Sequence, residues 1–138
     1  MRAPKQAWVT RSVEEGKPWG STRAWHTIGN LHGKLICIRK GERTSLKYHS
    51  IKSEVFFVLK GSVRVTYGDS RTTQNPEEHP YETRVMNQFD VLHVQSECPY
   101  RFEALDDCQI IEVGDRANND PIRLEDDYGR ETCRGQES

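Results

Sequence analysis

A chain of 138 residues, 34% hydrophobic and 30% charged, suits one domain with a real core. Lys and Arg number 20 against 21 Asp and Glu, and no interleaved basic–aromatic pattern is present, so a nucleic-acid module is not expected. Residues 1–47 hold ten Lys/Arg against three acids, which reads as a mixed solvated surface rather than a phosphate trap.

The opening "MRAPKQAWVTRS" has no apolar stretch of signal-peptide length, and the longest apolar run is "VFFVL". No membrane span is therefore expected, and the cytoplasm is the expected compartment. Residues 1–10 read as an N-terminal arm, 11–115 as a barrel and 116–138 as a tail packed on it. From there the pattern predicts β-structure almost throughout. "GKLICIRKGE" sets Leu35, Cys37 and Arg39 against Ile36, Ile38 and Lys40, a strand with one apolar and one mixed face.

"SLKYHS" reads as a short strand with Ser45, Lys47, His49 and Ile51 on one side. Lys52 and Ser53 then fit a tight turn before "EVFFVLKG". "SVRVTYGD" alternates Val63, Val65 and Tyr67 with Arg64 and Thr66. After the polar "SRTTQNPEEHP" come three further runs, "QFDVLHVQ", "PYRFEAL" and "CQIIEVGD". A short helix or turn is expected after Asn118. Short strands at this spacing predict an all-β sandwich or barrel. Cys37, Cys98, Cys108 and Cys133 form no CxxC, so reduced thiols are expected.

The hairpin around Lys52 can bring Glu54 close to His49. Imidazole and carboxylate together suit a divalent metal or an ordinary hydrogen-bonded pair, and the spacing leaves both open. Trp8, Trp19 and Trp25 can stack on a sugar or pack in a core or interface. His26, His32 and His79 have no partner pattern and read as surface or loop histidines. His93 and Cys98 lie near the later strands but off any ligand spacing.

"GERTSLKYHSIKSEVFFVLKG" resembles the first cupin motif, in the form G-E-x-x-S-L-Q-x-H-x-H-x-x-E of type II mannose-6-phosphate isomerases. "KPWGS", "FDVLHVQSECPYRFEA", "IIEVGD" and "DPIRLEDDYGR" are similar to further segments of that cupin domain, so the likeness spans residues 11–130. The resemblance implies a single-domain cupin jelly-roll β-barrel acting on a sugar phosphate or nucleotide sugar. It also implies a homodimer.

The departures bear on the chemistry. Lys47 stands where the family has Gln, Ile51 where it has a second His, and Tyr100 where the second motif places a metal-binding His. His49 and Glu54 alone remain as family ligands for zinc or another divalent metal. Lys47 has three donors and no acceptor, so its ammonium is expected to pair with Glu54, with His49 and Tyr100 completing a metal-free network. No cofactor is then expected. In catalytic terms Lys47 would stabilise an oxyanion, His49 or Glu54 act as base and Tyr100 as acid. Arg123 and Arg130 either grip a phosphate or pair with neighbouring acids. Three functions follow: a sugar-phosphate-binding cupin with a lapsed isomerase site, a metal-free nucleotide-sugar ketoisomerase or epimerase using His49 and Tyr100, and a non-catalytic sensor or scaffold.

Overall fold

The computed structural model describes residues 2–115 and 121–132. Among them are eleven strands and no helix: β1 (Val13–Lys17), β2 (Gly20–Ala24), β3 (His32–Ile38), β4 (Leu46–Tyr48), β5 (Glu54–Lys60), β6 (Val63–Tyr67), β7 (Glu82–Met86), β8 (Val91–Val94), β9 (Tyr100–Ala104), β10 (Cys108–Gly114) and β11 (Ile122–Glu125). They form two antiparallel sheets, ordered β1-β2-β3-β10-β5-β8 and β11-β4-β9-β6-β7. Neighbouring strands within a sheet are mostly distant in sequence, the wiring of a jelly roll.

The alternating runs become β3, β5, β6, β8, β9 and β10, as their period-2 patterns require. Two features of the tail and β2 were not legible. The segment after residue 120 forms β11 on β4 rather than a helix, and a turn follows at residues 127–128. β2 exists because Gly20 lets it press against β3: a Cβ there would stand 1.9 Å from the Cys37 carbonyl oxygen. Gly61 has a different task. Its φ of +83° turns β5 into β6, a left-handed conformation that glycine adopts without steric cost. Cys37, Cys98 and Cys108 are free thiols, while Cys133 lies outside the described residues.

The inward parities meet in one core. Phe56, Val58, Val63 and Ile110 are fully buried. Phe56 sits 5.0 Å from both the Tyr100 and Phe102 ring centroids, so one ring ties β5 to β9 across the two sheets.

The tail is locked to the barrel by charge. Arg43 grips Asp127, with Nη2 to Oδ1 at 2.8 Å, and Tyr128 donates its hydroxyl hydrogen to Glu42. Arg101 of β9 meets Glu125 of β11 at 3.3 Å.

Deleting the Phe56 ring should cost about 3–5 kcal/mol of stability in urea unfolding, the range for a buried aromatic cut to Ala. The outward neighbour Val55→Ala should cost less than about 1 kcal/mol. Equal losses would contradict this placement of the core.

Candidate functional site

Paired residues of antiparallel strands share a face, so the register identifies what looks into the barrel. On the first sheet His32, Gly114, Glu54 and Val94 form one line across β3, β10, β5 and β8. Lys34, Glu112, Phe56 and Leu92 form the next. On the second sheet Arg123, Lys47, Tyr100 and Tyr67 line up across β11, β4, β9 and β6. The two sets of lines meet where Tyr100 donates its phenolic hydrogen to Glu54 Oε1 at 2.7 Å.

Glu54 is 3% exposed and Glu112 4%, two carboxyl groups inside one barrel. Burial and the neighbouring Glu112 push Glu54 up to about 7, although Lys52 and the Tyr100 hydroxyl pull the other way. Burial also works to raise Glu112. The hydrogen bond from His32 and the charges of Lys34 and Lys52 outweigh it and hold that carboxyl well below the usual range. Tyr100, buried against both carboxylates, is raised well above an ordinary phenol.

The structure corrects four expectations. Lys47 is not the ammonium paired with Glu54; its Nζ lies over the Tyr100 ring, 5.1 Å from the centroid. That partner is Lys52, expected only as part of a tight turn, which is 5% exposed with Nζ 3.2 Å from Glu54 Oε2 and 3.3 Å from Glu112 Oε2. Ile51 does not share the inward face with Lys47, because β4 ends at Tyr48 and the chain swings Ile51 outward to 57% exposure. His32 is no surface histidine: its Nε2 lies 3.3 Å from Glu112 Oε2.

His49 does reach Glu54, with Nε2 to Oε1 at 3.4 Å. His26 and His93 are exposed and His79 half-exposed. Glu112 was missed, yet its signal was available. In "CQIIEVGD" it shares the parity of buried Cys108 and Ile110, and a carboxylate on an apolar parity marks an inward charge. Lys52 carried no such signal, since no strand fixes its parity.

A divalent metal does not fit these residues as folded. Glu54 Oε1 already serves Tyr100 and His49, and both Glu54 Oε2 and Glu112 Oε2 face the Lys52 ammonium. Lys34 adds a second ammonium 3.8 Å from Glu112 Oε2. Among the described residues no group of three or more His, Cys, Asp or Glu is placed to hold a metal.

Beside this cluster lies a cavity of about 260 Å³ lined by Trp19, Lys34, Lys47, Tyr100, Glu112 and Arg123, with Lys17 and Arg130 among the other wall residues. Five cations thus face one carboxylate, and that carboxylate is already engaged. Trp19, 6% exposed, has an indole N–H without an acceptor, and the buried Arg123 Nε has none either. Arg130 is more committed, donating to both oxygens of Asp126 from Nε and to Oδ1 from Nη2 at 2.8 Å. Burial, opposed by Glu54 and Glu112 and aided by Lys34 and Arg123, brings Lys47 down to about 8. Of the three tryptophans only Trp19 lies in the core and lines this cavity, while Trp8 and Trp25 are exposed.

Comparison with known proteins places this geometry. The family described as mannose-6-phosphate isomerase C-terminal matches residues 5–126. No curated protein matches the chain. Oxalate decarboxylase of Lactobacillus farciminis, solved as a formate complex, superposes with a TM-score of 0.69 at 20% identity over 86% of this chain and 38% of that one. Oxalate decarboxylase of Bacillus subtilis, a protein with Mn(II) centres, gives 0.69 at 20% identity over 82% and 30%. At that identity both establish the fold alone, and the chain spans 38% or less of either neighbour's length.

Because folding raises Glu54, its contribution to stability is fully present below the ordinary value of 4.5 and is lost as pH rises toward about 7. Glu112, shifted the other way, loses its contribution only in stronger acid. Urea unfolding at pH 5 and pH 7.5 should therefore show the wild type losing more stability across that interval than Glu54→Gln, whose amide stays neutral. Identical pH dependence in the two proteins would remove Glu54 as a high-titrating group.

Proposed function

The chain belongs to the mannose-6-phosphate isomerase C-terminal family, and from that premise we propose that it is a cupin that binds a phosphorylated sugar in its barrel cavity. The observation that supports this is the wall itself. Five cations, an orphaned Trp19 N–H and an orphaned Arg123 Nε surround one engaged carboxylate. Buried donors without acceptors are costly unless a ligand supplies them, and a phosphate offers acceptors that match a guanidinium fork. The indole ring of Trp19 gives a sugar an apolar face to rest on.

Size selects within the class. At about 260 Å³ the cavity falls below the roughly 300–1,000 Å³ usual for drug-sized ligands. That favours a hexose phosphate over a nucleotide sugar.

Aldose–ketose isomerisation needs a base, an acid and a group that stabilises developing negative charge. Tyr100 and Lys47 reach the cavity, but the phenolic hydrogen of Tyr100 is already bonded to Glu54, and His49 and Glu54 are not among the cavity's wall residues. The geometry supports binding better than turnover, and no step is routed through a metal.

The expected homodimer draws support from the outer face of the first sheet. Val113 pairs with Val55, and Phe57 with Val91 and Ile111, giving outward apolar rows in which Val55, Val91 and Val113 are exposed. Sedimentation at micromolar concentration should show a dimer that Val55→Lys dissociates. A monomeric wild type would end that reading.

The ligand reading predicts a rise in melting temperature with mannose 6-phosphate or fructose 6-phosphate that EDTA leaves unchanged. The rise should fall by about tenfold in apparent affinity in Arg123→Gln, the loss of one charge-assisted pair. Absence of any shift with either sugar phosphate, or a shift that EDTA abolishes, would overturn it.

A further inference from the structure

The cations of the cavity wall are not alike. Lys17 Nζ lies 3.2 Å from Glu15 Oε1, Lys34 Nζ 3.8 Å from Glu112 Oε2, and Arg130 Nη2 2.8 Å from Asp126 Oδ1. Each of these has a carboxylate at hand. Among the described residues Lys47 and Arg123 have none within ion-pair distance: the Lys47 ammonium rests over the Tyr100 ring, and the buried Arg123 Nε has no acceptor.

These two are also cross-strand partners. The register sets Arg123 of β11 directly opposite Lys47 of β4, and both residues line the cavity. Like charges in that position repel and weaken the pairing of their strands. β11 is the last strand of its sheet, pairs with β4 alone, and shifts register between Arg123 and Glu125. Its fastenings lie away from the cavity. Glu125 meets Arg101, Asp127 meets Arg43 and Tyr128 meets Glu42, and none of the six lines the wall. The tail is hooked on beyond Arg123 and pushed off at Arg123 itself.

A dianion reverses the sign of that contact. Two cations without a counter-charge call for a ligand of charge about −2, which a phosphomonoester carries near neutral pH because its second pKa is about 6. Held between Lys47 and Arg123, its oxygens accept from both, and the repulsion across β4 and β11 becomes a bridge. A monoanion leaves one of the two cations unmet.

We infer that Lys47 and Arg123 form a two-cation clasp for a phosphoryl dianion, and that an anion held there seats the tail strand β11 against β4. This rests on the phosphate reading of the cavity, and adds to it the charge of the ligand and a coupling between binding and the tail.

Hydrogen–deuterium exchange of residues 122–126 in the full chain, at pH 7.5 and constant ionic strength, tests the coupling, with affinities for inorganic phosphate and fructose 6-phosphate taken from calorimetry. Either ligand at ten times its dissociation constant should slow exchange in 122–126 by about tenfold, because opening must wait for release. Edge strand β7, away from the cavity, should keep its rate. Dimethyl phosphate, a monoanion, should leave both segments unchanged at the same concentration. Without ligand, Lys47→Met should slow exchange in 122–126 by about twofold or more, since the repulsion is gone, and the phosphate response should vanish. Arg123→Gln should behave alike, which covers a Lys47→Met protein that fails to fold. Asp127→Asn loosens the tail outside the wall, so exchange should quicken while the phosphate response stays. Phosphate binding without added protection of 122–126, faster exchange in the unliganded Lys47 and Arg123 variants, or equal protection by dimethyl phosphate would overturn the clasp and leave the cavity reading standing. Loss of the phosphate response in Asp127→Asn would also overturn it, by placing the coupling in the fastening. No binding of either phosphate would overturn the clasp and the cavity reading together.

Discussion

Two carboxyl groups inside an apolar barrel set the terms for everything around them. Glu54 and Glu112 stand on adjacent strands, both almost fully buried, on a face they share with Phe56, Val58 and Ile110. Burial of charge at that depth is tolerated only with partners. Lys52 bridges the two carboxylates, Tyr100 caps one from the opposite sheet, His49 adds to it, and His32 and Lys34 attend the other. Burial and the neighbouring Glu112 raise Glu54, while the His32 hydrogen bond and the Lys34 and Lys52 charges hold Glu112 down.

The charge balance of the cavity follows from that arrangement. The acids are paired with Lys52, on the link between β4 and β5, and with Lys34 of the first sheet. The cations of the second sheet, Lys47 and Arg123, are left without a carboxylate of their own at contact distance among the described residues. Arg123 owes its place to β11, which pairs with β4 and sets it directly opposite Lys47. β11 is held in turn by the Arg43–Asp127, Tyr128–Glu42 and Arg101–Glu125 contacts. Tail residues that read as candidates for gripping a ligand thus divide by task. Asp127 and Tyr128 fasten the tail, Arg130 is held by Asp126, and Arg123 faces inward with a donor unmet.

How legible the site was depended on whether a strand carried each residue. Tyr100 and Glu54 sit within regular strands, where the resemblance and the hairpin reading had singled them out. Glu112 could have been placed in the same way, from the buried Cys108 and Ile110 on its parity. Ile51 and Lys52 lie past the end of β4, where the period-2 rule no longer applies and the backbone turns freely. Extending alternation beyond the strand put Ile51 on the inward face, whereas it is exposed, and Lys52, read only as part of a tight turn, is buried. The lysine enters because Gly114, sixty-two residues away, leaves room for its stem, and no local reading contains that fact.

The sequence by itself determined the β-character, the strand parities of the core and, through its resemblance to a cupin domain, the jelly-roll fold that the family match bears out. Alternation is a local property, fixed by backbone geometry and by which face must leave water. Only the tertiary structure decided which ammonium neutralises the buried acids, and therefore why a divalent ion does not fit. That choice depends on the distance between side chains on different strands and on a space left by one missing Cβ. Coulombic pairing inside a barrel falls off with separation in space, and separation along the chain does not enter it.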